Sequence, residues 1–352
     1  MKSQNRLPVG KLPPDVLRRL LAGAPVDDSV ILGAGVGLDC AVVSLGEQLL
    51  VLKSDPITFT SQEIGWYAVQ VNVNDIATTG AIPRWFLTTL LLPEQESTPH
   101  LAESIMDQVY HACQELSISV VGGHTEITYG LDRPILIGTL IGEVAANFLI
   151  MPDQIGSGDA LLLTKGVPIE AIAILAREFE GKLQGHMRSE EIKQAQNFIY
   201  DPGISVLHAA KVATASGDVH GMHDPTEGGL SVALWEMAEA SGRSICFDPQ
   251  TIPVYELAAQ IADLLGVEAF DPLAAIASGA LLLAVERSHV DQISQTLEAE
   301  GISCNQIGEF ENDEAPWMDK IAKVAVWQQT AGGKVLLPRP GRDELARIFS
   351  TV

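Results

Sequence analysis

Basic residues are scarce in this chain. Lys and Arg number 22 against 45 Asp and Glu, a formal net charge of −23 over 352 residues. A surface of that sign repels phosphate backbones and excludes unspecific nucleic-acid binding as a role. Cysteine is equally sparse. Cys40, Cys113, Cys246 and Cys304 stand singly, with no C-x-x-C pair. Neither a zinc site nor a disulfide framework is suggested, and a reducing cytoplasm is the expected compartment. No apolar run approaches the ~20 residues that span a bilayer, and the opening MKSQNRLPVGKLPPDVLRRL has no signal-like apolar core. No membrane association is expected. Short-period repeats and low-complexity tracts are missing as well.

What is present is apolar residue, 47% of the chain, and 31 glycines. The length suffices for two domains with cores of their own. An anionic ligand such as a nucleotide needs a bridging cation or local backbone donors to approach so acidic a protein.

The patterning is mixed α/β throughout. CAVVSL (40–45) and QLLVLKS (48–54) form a strand hairpin around Gly46-Glu47. A helix over 61–79 follows, then the buried strand RWFLTTLLL (84–92). The helix 98–116 carries Leu101, Ile105, Val109, Ala112 and Leu116 on one face. SISVVGG (117–123) is a strand that runs into a glycine turn, and 133–144 is another strand. The segment MPDQIGSGDA (151–160), dense in Pro, Gly and Asp, marks a domain boundary. Beyond it strands are expected at 160–166, 218–222, 244–247, 280–286, 302–309 and 321–328. Helices near 168–180, 189–198, 204–215, 229–241, 255–265 and 288–299 alternate with them. The organisation is an N-terminal extension over 1–30, a first domain over 31–150 and a second over 151–352.

The helix 61–79 ends oddly, in NVNDIATTGAIP (72–83). Thr60 and Glu63 have capping-box spacing at its start, and Gly80 with Pro83 stops it. Asn72, Asn74 and Asp75 fall in the last turns, where the helix dipole disfavours an anion, so Asp75 calls for a cation partner. Taken alone, the cluster also fits a solvated helix end. Two further aspartates bear on the choice. Asp39 follows the glycine run Gly33, Gly35, Gly37 and leads into a strand. Asp55 ends the next strand, beside Pro56. Oxygen ligands from separate elements, with room for water, suit magnesium bound to a polyphosphate.

VVGGHTEIT (120–128) adds Gly122 and Gly123, which permit close backbone approach. His124 and Thr125 follow, and Glu126 is a candidate fourth oxygen ligand. In HGMHDPTEGGLSVALWEMAEASG (220–242), Asp224, Thr226, Gly228 and Gly229 form the entry loop of a helix. Free amides at such a terminus bind anions; an ordinary N-cap is the alternative.

VNDIATTGAIP with Asp39, Asp55, GGHTE and HDPTEGGL, in this order, resembles the aminoimidazole ribonucleotide (AIR) synthetase superfamily from about residue 30 to 310. Within it, DPTEGGLSVALWEMAEASG and DPLAAIASGALLLAV (271–285) look like the branch of the hydrogenase maturation protein HypE and its AIR synthase-related relatives. The resemblance implies a two-domain fold whose N-terminal mixed sheet, with helices on one face, pairs across a homodimer. It implies ATP near that interface and Mg²⁺ on the aspartates, with phosphoryl transfer to an amide or acid oxygen of a small substrate. On this reading Asp39, Asp55, Asp75 and Glu126 hold metal. Asp75, Asn74 and His124 are the catalytic candidates. Gly35, Gly37, Gly122, Gly123 and Thr125, with Asp224, Thr226, Gly228 and Gly229, line the nucleotide or acceptor. HypE proteins end in a cysteine that carries the carbamoyl group. Here the last residues read LARIFSTV and the last cysteine is Cys304, so formation of a thiocyanate by that route is not expected. The alternative function is an assembly factor of the hydrogenase-maturation type, which binds nucleotide and acts through a protein partner.

Overall fold

The computed structural model describes residue 7, residues 10–312 and residues 324–352. Two mixed sheets organise it. The first contains β1 (Val30–Leu32), β2 (Ala41–Leu45), β3 (Gln48–Ile57), β4 (Ile82–Pro93), β5 (Ser119–Thr128) and β6 (Ile135–Val144). Their spatial order is β1-β2-β3-β6-β4-β5. All neighbours are antiparallel except β4 and β5. The second sheet contains β7 (Ala160–Thr164), β8 (Val219–His223), β9 (Ser244–Phe247), β10 (Leu282–Val285), β11 (Cys304–Glu311), β12 (Val326–Thr330) and β13 (Gly333–Leu336). Its order is β13-β12-β9-β11-β7-β10-β8.

Helix α1 (Pro14–Leu21) precedes the first sheet, and α2 (Ile64–Thr78) and α3 (Pro99–Glu115) pack on it. The rest are α4 (Ile169–Glu178), α5 (Glu180–Leu183), α6 (Ser189–Gln196), α7 (Leu207–Ser216), α8 (Gly229–Ser241), α9 (Leu257–Leu264), α10 (Val290–Ala299) and α11 (Glu344–Thr351). Among the described residues, no helix is long and apolar enough to cross a membrane.

Local chemistry accounts for these elements. Pro99 opens α3 and the Thr98 hydroxyl accepts the Leu101 N–H, while Ile105, Val109 and Ala112 face inward. β7 and β10 are buried end to end, and apolar but for Thr164, because both faces of the second sheet are covered there. One apolar cluster runs from Val42 and Phe86 through α2 to Ile172 and Leu283, so the first sheet and part of the second share a core. A separate cluster forms around α8, with Leu234, Phe247 and Phe310.

The end of α2 is buried, Asn72, Asn74 and Asp75 alike, which removes the alternative of a solvated helix end. Three local expectations are corrected. Thr60 and Glu63 form no capping box, because Glu63 adopts left-handed backbone (φ 57°). Thr60 Oγ1 instead accepts the Gln62 N–H and donates to Glu178. β3 continues through Asp55 and Pro56 to Ile57. The proline is tolerated because β2 stops opposite Leu52, leaving that side of β3 without a neighbour to receive an N–H. β5 likewise passes straight through Gly122 and Gly123. There the ladder shifts register opposite Phe86 and Leu87, and any side chain at Gly123 would collide with the Thr88 backbone. The double glycine accommodates a bulge, not a turn. Of the strand expected at 321–328, residues 321–323 lie outside the described residues.

A buried carboxylate cluster as the candidate functional site

The site is assembled from both sheets. On β3, Lys53 and Asp55 are two residues apart and share a face. The Lys53 ammonium lies 2.9 Å from Asp75 Oδ2 and 3.5 Å from Asp55 Oδ2. This is the cation that an anion near the C-terminus of α2 requires. Asp39 sits in the loop before β2. It accepts a hydrogen bond from His223 Nδ1 (2.5 Å) at the end of β8, while His223 Nε2 donates to Glu236 on α8 (3.1 Å). With a carboxylate on each nitrogen, His223 is a cation and not a metal ligand. Lys11 closes the far side, its ammonium 3.1 Å from Glu236.

Asp224, next in the chain, is buried, and neither of its carboxylate oxygens has a hydrogen-bond partner of good geometry. Donor atoms of Asp39, His223 and Asp224 lie within 4.8 Å of one another. Two buried carboxylate oxygens left without donors cost several kcal/mol unless a cation or proton satisfies them.

The electrostatics follow from this crowding. Burial works against the charge on Lys53, but Asp75, Asp55 and Asp39 overcome it and hold the ammonium well above its usual range. Burial drives the Asp75 carboxyl well up, with Asp224 and Asp39 adding to it against the pull of Lys53. Burial and then Asp39 raise Asp224 to about 6. Asp39 goes the other way: burial is outweighed by His223, which holds it down at about 2. Asp39, Asp55, Asp75, Asp224 and Glu236 face Lys11, Lys53 and His223. The raised Asp75 and Asp224 are the carboxyls for which a bound cation would favour the ionised form. Hard oxygens on separate elements suit Mg²⁺.

Two glycines fix the loops. Gly37 (φ 76°) lies so close to α8 that a Cβ would stand 2.5 Å from Glu236 O, which holds the Asp39 loop, Gly35 included, against that helix. At Gly229 (φ 62°) a Cβ would stand 2.5 Å from Ala275 O. The α8 terminus is less open than an anion site needs. The Gly228 N–H donates to Asp343 Oδ2 (2.6 Å), and the Gly229 N–H donates to Thr226 O (2.9 Å). Beside the cluster a cavity of about 580 Å³ is lined by Lys11, Gly35, Gly37, Asp39 and Lys53.

Of the residues singled out from sequence, Asp39, Asp55, Asp75 and Asp224 converge. Asn74 lies beside them, but its carboxamide donates to Ile204 O (2.8 Å) and accepts the Val206 N–H (2.9 Å), clasping the loop before α7. His124, Thr125 and Glu126 do not join the cluster within one chain. They lie exposed on β5, the sheet edge, with His124 Nε2 3.4 Å from Glu126. Lateral pairing runs Asp55–Gly138–Thr88–Gly123, about 14 Å at the usual strand spacing. Lys53, His223, Glu236 and Lys11 were missed. The first two were legible: Lys53 shares a strand face with Asp55, and His223 directly precedes Asp224. Glu236 and Lys11 lie too far along the chain for any spacing to point to them.

The comparisons with known proteins agree with this architecture. Residues 37–144 match the family model "AIR synthase related protein, N-terminal domain", and residues 156–316 match the corresponding C-terminal domain. A hydrogenase expression/formation protein of Methanocaldococcus jannaschii is 27% identical over 282 residues, covering 77% of this chain and 79% of that one. The carbamoyl dehydratase HypE of Cupriavidus necator is 27% identical over 266 residues, 73% of this chain and 70% of its own. Among solved structures, HypE in complex with ATP superposes with a TM-score of 0.66 at 24% identity, over 88% of this chain and 90% of that one. That last likeness is one of fold.

Proposed function

The chain belongs to the AIR synthase related family, and from that premise we propose that it is an ATP-dependent enzyme that transfers a phosphoryl group to an oxygen of a small substrate. The observation that carries the reading is the convergence of Asp39 and Asp224 beside His223 with Asp55 and Asp75 around Lys53, two of these carboxyls being raised by their burial and crowding. Relatives described as dehydrating a carbamoyl group, and a structural neighbour solved with ATP, support the nucleotide assignment.

In this reading Asp39, Asp55, Asp75 and Asp224 hold Mg²⁺, which when bound supplies charge neutralisation at the phosphates. Lys53, now paired with Asp75, would serve as a point charge for a phosphate oxygen. His223 keeps Asp39 ionised and oriented. The adjoining cavity, with Gly35 and Gly37 in its wall, takes the nucleotide. Residues 31–150 would form the nucleotide-binding half, and residues 151–352 would complete the acceptor side with Asp224 and Thr226. Such a site works by positioning and electrostatics, without a covalent intermediate on the protein.

We further read the molecule as a homodimer paired along β5. That strand is an edge with Val121 and Ile127 exposed, an arrangement that invites pairing. Pairing there would bring Gly122, Gly123, His124, Thr125 and Glu126 to an interface, where a second copy could complete the phosphate site. A second reading, assembly work through a protein partner, draws on the name of the Methanocaldococcus jannaschii relative.

Isothermal titration with a non-hydrolysable ATP analogue tests the main reading. Binding is expected with Mg²⁺ and lost with EDTA. No binding at millimolar ligand overturns it.

A further inference from the structure

Part of the wall of the cavity beside the cluster comes from outside the residues that match the family models. Residues 10–17 and 339–343 lie beyond the matched spans 37–144 and 156–316, yet both segments contribute lining residues alongside Asp39 and Lys53. The two extensions meet on α8. Arg18 of α1 lies 3.3 Å from one carboxylate oxygen of Glu239, and Arg339 lies 2.7 Å from the other.

The segment after β13 is fixed against α8 at three points. Trp235 Nε1 donates to Leu337 O (3.2 Å), Arg339 pairs with Glu239, and the Gly228 N–H donates to Asp343 Oδ2 (2.6 Å). Asp343 is buried and also caps α11 by accepting the Leu345 N–H (2.7 Å). Arg342 stands between the last two anchors and lines the cavity.

The cations of this wall are not equivalent. Lys11 pairs with Glu236 (3.1 Å), Lys53 with Asp75 (2.9 Å) and Arg339 with Glu239 (2.7 Å). Among the described residues Arg342 is in no ion pair, and its guanidinium makes one hydrogen bond, from Nη1 to Ser350 Oγ (3.0 Å). Most of its five N–H donors are left for solvent or a ligand. In a chain of 45 acidic and 22 basic residues, an arginine that meets no carboxylate is exceptional.

Resting on the nucleotide reading above, we propose that Arg342 binds a phosphate of the nucleotide, a contact supplied by the C-terminal extension. The planar guanidinium matches two phosphate oxygens at once, and anchors on either side hold its backbone before any ligand arrives. The polyphosphate is then gripped by the aspartate cluster and by a segment far from it in sequence. Apolar wall from Leu12, Val36 and Val232 remains for the uncharged part of the ligand.

The test uses the whole protein with Mg²⁺ and two probes, a non-hydrolysable ATP analogue and inorganic tripolyphosphate. Calorimetry reads both affinities. Arg342→Gln is expected to weaken both at least tenfold, because both probes carry the phosphates. Arg342→Lys keeps the charge without the fork and is expected to fall between that variant and the parent. Unchanged affinity for both probes in Arg342→Gln overturns the proposal. A loss confined to the analogue also overturns it, since the arginine would then serve the base or ribose. Arg342 is exposed, so thermal unfolding of the variants is expected to match the parent. Should Arg342→Gln fail to fold, Arg342→Lys decides alone, and parental affinity for both probes overturns the proposal. A parent that binds tripolyphosphate through Arg342 but not the analogue would overturn the nucleotide reading and leave the phosphate contact standing. A parent that binds neither overturns both.

Discussion

Lys53 Nζ lies 2.9 Å from Asp75 Oδ2, joining the middle of a strand to the last turn of a buried helix. Both groups are shielded, at 15% and 2% side-chain exposure. The pair fixes where α2 meets β3 and holds Asp75 beside Asp224 and Asp39.

Removing the lysine tests that role directly. Lys53→Met leaves Asp75 buried with no cation, and breaking such a pair costs about 3 kcal/mol or more. Urea unfolding in EDTA is expected to show the loss. Added Mg²⁺ is expected to recover part of it in the variant, because metal then takes the place of the ammonium. Stability equal to the parent in EDTA would contradict this account.

Asp75→Asn acts on the metal itself. It is expected to weaken Mg²⁺-dependent binding of the ATP analogue at least tenfold, about 1.4 kcal/mol. Asp55→Asn should act in the same direction. Calorimetry in Mg²⁺ that found both variants unaltered would remove these carboxylates from the nucleotide site.

Asn74→Ala distinguishes scaffold from site. It orphans the Val206 N–H and Ile204 C=O, at a cost of about 2 kcal/mol or more. Stability should fall while analogue affinity changes less than in Asp75→Asn. The opposite ranking would show that Asn74 serves the ligand.

Glu170 sets a pH dependence that needs no ligand. Its folded carboxyl titrates near 7, raised from 4.5 mainly by burial. Between those values the folded state binds more protons than the unfolded state, so this group's contribution to stability falls as pH rises from about 4.5 to 7. Glu170→Gln removes the effect. The stability of the variant relative to the parent is expected to climb across that window by something on the order of 3 kcal/mol. A pH-independent difference in denaturant unfolding would refute it.

The edge strand supplies a prediction about assembly. Ile127→Lys on β5 places a charge on a 62%-exposed apolar position and is expected to convert a dimer to monomer in sedimentation velocity. A parent protein that is monomeric at tens of micromolar would overturn pairing through β5.

Much of the fold was legible in the chain. Helix α8 and strand β9 fall at the residues the periodicity marks, and α3 buries the expected Ile105, Val109 and Ala112. Hydrophobic period and stop signals are local, and local signals survive folding. The same locality misled at Gly122-Gly123 and Pro56, which look like turn residues until the neighbouring strand is known. The need of Asp75 for a cation was also written in the sequence, through the helix dipole.

Which cation answers that need was decided by tertiary structure, because Lys53 meets Asp75 only once β3 lies under α2. So was the split of the motif residues, with four aspartates drawn together and His124 and Glu126 left on an exposed edge. The distance between chemical groups depends on strand order, and strand order is set by long-range pairing that no short stretch of sequence encodes. Composition and patterning determined an acidic, mixed α/β protein with isolated aspartates. Packing decided that four of them share one space around Lys53 and His223.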